Sequence, residues 1–232
     1  MVFISGDTHG DIDIRKLSSK NWPEGRTLTK NDYLIIAGDF GVIWTYECKS
    51  EKYWLKWLDD KPWTTLVVDG NHENHDRLAE LPVETKFQGT VGKISESVFH
   101  LKRSQIYRIE NKSFFIMGGA KSVDKKCRKP GKSWWPNEMP SPEEKENGYR
   151  NLEAVNGKVD FIVSHTAPET LIKIYFAHIG LSSRFTELDP TRFFLDDVFR
   201  MCPNAEIYCG HWHDDWDSGR FHMLYRSIRR IV

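Results

Sequence analysis

The chain has no surplus of charge: 33 lysines and arginines balance 33 aspartates and glutamates over 232 residues. Such a surface offers no global field to draw the protein toward a long nucleic acid or an anionic membrane, so any preference for phosphate must be local. Cysteine is scarce as well, and Cys48, Cys127, Cys202 and Cys209 form no C-x-x-C pair. That spacing argues against thiolate metal and redox motifs, and a chain of this length does not need disulfide staples, so reduced thiols are expected. No apolar stretch approaches the roughly 20 residues of a bilayer span, and a strand begins without a basic n-region or an apolar h-region before it. A cytoplasmic protein without membrane contact is therefore expected. Internal repeats and low-complexity tracts are lacking too, and residues 1–232 fit one domain that can bury most of its apolar surface.

What the sequence does contain is five short islands of metal-ligand residue types: Asp7-Thr8-His9, Gly38-Asp39, Gly70-Asn71-His72-Glu73, Ser164-His165 and Gly210-His211-Trp212-His213. Each follows an apolar run of strand length, namely Val2-Phe3-Ile4, Tyr33-Leu34-Ile35-Ile36, Leu66-Val67-Val68, Phe161-Ile162-Val163 and Ile207-Tyr208-Cys209. Runs of this kind read as buried strands, and an open sheet gathers its ligand sites beyond the carboxyl ends of such strands. The islands are therefore expected at one rim.

In this order the islands resemble the calcineurin-like metallophosphoesterases, whose pattern runs D-x-H, G-D, G-N-H-[D/E], H, G-H-x-H. The resemblance implies a four-layer α/β/β/α sandwich with two packed mixed sheets. It also implies two metal ions, one held by Asp7, His9 and His213, the other by Asn71, His165 and His211, with Asp39 bridging. This set holds no thiolate and mixes imidazole with carboxylate and amide oxygen, which suits manganese, iron, zinc or nickel better than calcium or magnesium without choosing among the four; manganese is the first expectation. Two divalent ions carry four positive charges, of which Asp7, Asp39 and a bridging hydroxide cancel three, leaving a positive centre for the substrate oxygens. The activity implied is hydrolysis of a phosphomonoester or phosphodiester by direct attack of that hydroxide. A nuclease or cyclic-nucleotide phosphodiesterase is the alternative enzyme, and a non-catalytic scaffold of the same fold is the alternative outside enzymes.

In the family the histidine after the asparagine, here His72, is the general acid for the leaving alcohol. Its neighbour Glu73 can orient it or cap a helix, and Asp11 can hydrogen-bond His9 or start a helix. The serine/threonine protein phosphatases continue the second block as G-D-x-V-D-R-G, whereas this chain reads Gly38-Asp39-Phe40-Gly41-Val42-Ile43-Trp44. Val42 and Ile43 can neither support the acid histidine nor grip phosphate, so a phosphate-gripping cation must come from elsewhere. The segment from Gly118 to Pro140 is the candidate source. Arg128 lies there among Lys121, Asp124, Lys125, Lys126, Lys129 and Lys132, with Trp134 and Trp135 as possible stacking surfaces or as pins that hold the loop to the domain.

The remaining elements are coarse. Helices are expected from Asp11 to Ser19, from Glu47 to Asp60 with Tyr53, Trp54, Trp57 and Leu58 packed on the sheet, from Ser141 to about Asn156, and after Asp189-Pro190. Strands at 98–101, 105–109 and 113–117 read as a meander opening a second sheet. The stretch from Ile174 to Leu188 is strand-poor, and 220–226 and 228–232 read as closing strands. His75 gives H-E-N-H, whose spacing is one short of the metalloprotease motif. His100, His178 and His222 read as packed or surface residues, and Trp212, on the opposite pleat from its histidine neighbours, reads as packing.

Overall fold

Val2 and Ile4 join one core while Phe3, between them, joins another, and all three are buried. A strand with this alternation must be covered on both faces. In the computed structural model, which describes residues 1–46, 48–181 and 188–232, it is β1 (Val2–Ser5), paired in parallel with β2 (Tyr33–Ala37), itself parallel to β3 (Thr64–Val68). β6 (Val98–Leu101) continues this sheet in parallel, an antiparallel hairpin of β5 (Gly89–Lys93) and β4 (Val83–Lys86) ends it, and β13 (Ile228–Arg230) closes the other edge on β1. The second sheet runs in the order β11 (Trp216–Ser218), β12 (Phe221–Met223), β10 (Glu206–Cys209), β9 (Phe161–Ser164), β8 (Lys112–Met117) and β7 (Ile106–Ile109).

Three cores give four layers. Between the sheets, Val2, Ile4, Ile35, Leu66 and Val68 meet Phe114, Ile116, Phe161 and Val163. On the outer face of the first sheet, Phe3, Leu34, Ile36 and Val67 pack under Ile14, Leu17, Trp54 and Leu58 from the helical layer of α1 (Lys49–Asp59) and neighbouring turns. The outer face of the second sheet, through Phe115, Met117, Ile162 and Ile207, is covered by α3 (Pro142–Ala154), α4 (Glu169–His178) and α5 (Pro190–Met201). This is the expected α/β/β/α sandwich with two mixed sheets.

Local signals explain most boundaries. Ser141 accepts from the Glu144 N–H while the Glu144 side chain accepts from the Ser141 N–H, so α3 starts on a capping box with Pro142 in its first turn. Asp189 caps α5 by accepting from the Thr191 N–H.

Other expectations need correction. The helix expected from Asp11 is a turn followed by one short 3-10 segment, Ile14–Leu17. α1 starts at Lys49, and Glu47 lies outside the described residues; Trp54 and Leu58 are buried but Tyr53 is 59% exposed and does not pack on the sheet. The strand at 98–101 stays in the first sheet, and only β7 and β8 belong to the second. The chain crosses between sheets at Ser104, whose φ of 69° turns the backbone there. Hydrophobic runs alone do not say which sheet a strand joins. Within the strand-poor stretch from Ile174, α4 extends to His178, and residues 182–187 lie outside the described residues. The closing segments form shorter strands than expected, β12 on the second sheet and β13 on the first.

Candidate metal centre

β1, β2 and β3 are parallel neighbours in one sheet, and β9 and β10 are parallel neighbours in the other. The five islands follow these five strands, so their side chains leave the sheets at one rim. Four of the residues there adopt left-handed backbone conformations that cost non-glycine residues energy: His9 (φ 43°), Asp39 (φ 44°), His211 (φ 70°) and His213 (φ 52°). His211, Trp212 and His213 therefore lie in a bend and not on a strand, which corrects the pleat expected for Trp212. Its ring still packs, edge-on to Phe176 with centroids 5.3 Å apart. Glycines permit the close approach: a Cβ on Gly38 would lie 1.9 Å from His165 Nδ1, on Gly70 2.0 Å from Asp39 Oδ1, and on Gly210 2.1 Å from Asp7 Oδ1.

The side chains converge in two groups that share Asp39. In the first, Asp7, His9, Asp39 and His213 each offer a ligand atom, all within 4.8 Å of one another; in the second, Asp39, His165 and His211 do the same. His213 Nε2 lies 3.1 Å from Asp7 Oδ2, and His9 Nε2 lies 3.5 Å from Asp39 Oδ2. Across the site, His165 Nε2 lies 3.2 Å from Asp39 Oδ1, 3.0 Å from Asn71 Oδ1 and 3.2 Å from His211 Nδ1. The outward ring nitrogens are engaged behind the site, where His165 Nδ1 meets the Ala37 carbonyl at 3.0 Å and His9 Nδ1 meets Asp13 at 2.9 Å. Those partners aim both Nε2 atoms inward.

The electrostatics of this cluster favour positive charge. Burial alone would depress the His165 imidazole, but Asp39 and Asp7 beside it lift it to about 10. Burial and the neighbouring His165 push His211 down to about 3. Asp39, despite complete burial, is held well below the usual carboxylate range by His165 and His9. Two buried carboxylates thus favour positive charge beside them, a demand that a divalent cation would meet. Imidazole, carboxylate and amide donors converging in this way fit divalent metal ions.

A family model for calcineurin-like phosphoesterases matches residues 2–215. The chain belongs to that family. A search of curated proteins finds no match. Membership and the Asp/His cluster together make this chain a metal-dependent phosphoesterase.

Several residues around the calcineurin-like centre differ from expectation. Asp13, not the exposed Asp11, meets His9. Glu73 neither caps a helix nor orients His72: its carboxylate accepts from the N–H groups of Phe40 at 2.6 Å and Gly41 at 3.3 Å, and α2 (His75–Ala79) is capped by Asn74. Burial and then Asp39 raise the Glu73 carboxyl well above its ordinary range. His75 meets the Gly70 carbonyl, and His100 meets Asp69, so both support the loop from behind. His178 is exposed, and His222 lies between Glu206 and Asp217, away from the rim.

The 118–140 loop reaches the centre at two points. Arg128 is clamped by Asp124 through two contacts of 2.6 Å and brings Nη2 to 3.4 Å from His72 Nε2. Ser122 Oγ accepts from the Asn71 amide at 3.2 Å and donates to buried Glu138 at 2.5 Å. Nothing in the spacing of Ser122 and Glu138 announces this pair. Trp135 is 2% exposed, its N–H donates to Asp76 at 3.0 Å, and its ring meets Trp44 edge-on at 5.2 Å. Trp134 is also buried, with Lys125 Nζ 3.9 Å from its ring centroid.

Proposed function

We propose that the chain hydrolyses phosphoesters at a dinuclear centre, with Asp7, His9 and His213 as ligands of one ion, Asn71, His165 and His211 as ligands of the other, and Asp39 bridging. The observation that carries this reading is that Asp39 alone belongs to both groups of converging ligand atoms. Bound there, two divalent ions, manganese by preference and otherwise iron, zinc or nickel, supply Lewis acidity that activates water and neutralises phosphoryl charge. Residues 1–232 act as one domain in this reading, because both sheets contribute ligands to the same centre.

His72 and Arg128 are the groups that meet the substrate. His72 Nε2 lies 4.0 Å from Asp39 Oδ2 and faces the rim, positioned to give a proton to the leaving oxygen. Burial lowers the His72 pKa, Asp39 raises it and Arg128 lowers it again. A phosphoryl dianion between His72 and Arg128 favours the charged imidazole and restores its proton. Arg128, fixed by Asp124 through Nε and Nη2, supplies the phosphate-gripping cation that the segment after Asp39 lacks. The burial of Trp135 and Trp134 supports a role as pins for both, leaving the exposed Lys125, Lys126 and Lys129 as the loop's surface toward the rest of the substrate.

The substrate is a phosphomonoester or phosphodiester. Among the described residues no helix is long and apolar enough to cross a membrane. The four free thiols support a reducing compartment such as the cytoplasm. The test is metal analysis beside hydrolysis of aryl monoesters, aryl diesters, nucleotides and phosphopeptides by metal-stripped and metal-restored protein. Hydrolysis that survives complete stripping would overturn the reading.

A further inference from the structure

The family match stops at residue 215, yet a segment just beyond it is built into the metal centre. Tyr225 is held at four points. Its N–H donates to Asp215 at 3.0 Å, and the same carboxylate accepts from the N–H groups of Arg226 at 3.0 Å and Ser227 at 3.2 Å. Its carbonyl accepts from Lys16 Nζ, which also donates to the carbonyls of Gly6 and Asp7. Its ring stacks on His213, with centroids 4.9 Å apart and planes 22° from parallel. Its hydroxyl donates to Asp13 Oδ2 at 3.2 Å, the oxygen that lies 2.9 Å from His9 Nδ1. One residue earlier, the Leu224 carbonyl lies so close to Gly6 that a Cβ there would sit 1.9 Å from it.

We infer that Tyr225 is a positioning residue for the metal ion bound by Asp7, His9, Asp39 and His213. It reaches both imidazoles of that set by different routes, His213 through its ring face and His9 through the carboxylate of Asp13. The need is specific to this set. His213 has a side chain 50% exposed and would otherwise lose rotamer freedom on binding a metal, whereas His165 is fully buried and already fixed by the Ala37 carbonyl. Asp13 leaves His9 with Nε2 facing the metal only while the carboxylate is itself held, and the Tyr225 hydroxyl holds it.

This inference rests on the dinuclear reading and is tested apart from it. Metal-stripped wild type, Tyr225→Phe, Tyr225→Leu and Tyr175→Phe are titrated with manganese by calorimetry, with free ion followed by electron paramagnetic resonance. Tyr175 is the control: its hydroxyl donates to Asp214 at 2.8 Å, next to His213 in sequence, but reaches no ligand. Backbone anchoring by Asp215 and Lys16 persists in every variant. Tyr225→Phe keeps the stack and loses the hydroxyl, so one of the two ions should bind about tenfold more weakly, and Tyr225→Leu should approach a hundredfold. The second ion and the Tyr175→Phe protein should match wild type. Wild-type affinity at both sites in Tyr225→Phe and Tyr225→Leu would overturn the inference, as would equal weakening of both sites. If Tyr225→Leu does not fold, Tyr225→Phe decides alone. Wild type that binds no manganese overturns the dinuclear reading itself, and this inference with it.

Discussion

Arg128 Nη2 lies 3.4 Å from His72 Nε2 while Asp124 clamps the guanidinium through Nε and that same Nη2. The proposed proton donor and the proposed phosphate grip thus lie side by side on segments 56 residues apart. If Arg128 grips a phosphoryl oxygen, Arg128→Ala should lower kcat/KM by about tenfold to a hundredfold, the worth of one charge-assisted pair, with metal content unchanged. Arg128→Lys should recover little because an ammonium cannot keep the two-point clamp on Asp124 that holds the cation beside His72. Steady-state kinetics beside metal analysis checks this; wild-type kinetics in Arg128→Ala would remove the residue from the site.

His72 should matter in proportion to the leaving group. A p-nitrophenolate departs without a proton, whereas an alkoxide needs one in the transition state. His72→Ala should therefore cost little on activated aryl esters and progressively more as leaving-group pKa rises. Equal losses across the series, with both metals retained, would end the general-acid assignment.

Asp39 belongs to both groups of ligand atoms, so Asp39→Asn should weaken both ions, while His213→Ala should weaken one. Metal stoichiometry under limiting manganese distinguishes them. Two tightly bound ions in Asp39→Asn would refute the bridge. Chelation should abolish hydrolysis in wild type, and added manganese should restore it.

How much of this was legible in the sequence depends on how local the signal is. The islands could be read because each ligand sits directly after its strand, and because the Ser141 capping box and Asp189 cap are contained within a few residues. Asp13 was missed because Asp11 looks equivalent in sequence, and only the turn, which also makes Ile12 74% exposed, decides which carboxylate reaches His9. The hairpin of β4 and β5 was missed because its residues are only half-buried or exposed apart from Val91 and Gly92, so it carries no strong apolar run. Tyr225 and Ser122 act across 212 and 51 residues respectively, and no local pattern encodes such pairs.

Trp135 should behave as a structural pin. It is almost fully buried and loses both the Asp76 hydrogen bond and its packing on Trp44 when truncated. Trp135→Ala should cost about 3–5 kcal/mol and lower the melting temperature by roughly 10 °C, with all substrates affected together. A selective loss on one substrate at unchanged melting temperature would restore a recognition role to this residue.

Asn71 supplies the only neutral oxygen proposed as a ligand, and its amide must be turned so that oxygen, not nitrogen, faces the metal. The turn is set by its nitrogen, which donates to Ser122 Oγ at 3.2 Å. Ser122 can accept because its own proton goes to Glu138, which is 0% exposed and accepts from the Ser122 backbone N–H as well. Ser122→Ala removes the acceptor while leaving the Glu138 contact to the backbone, so the change should be local. The ion bound by Asn71, His165 and His211 should then bind about tenfold more weakly, the usual cost of losing a partner behind a ligand. The other ion should be unaffected, the reverse of the pattern expected for Tyr225→Phe. Manganese titration of Ser122→Ala, Tyr225→Phe and the double variant therefore gives a direct check. Losses at different sites should add, because Ser122 and Tyr225 share no partner. If Ser122→Ala and Tyr225→Phe weaken the same ion, the division of the ligands into two sets fails.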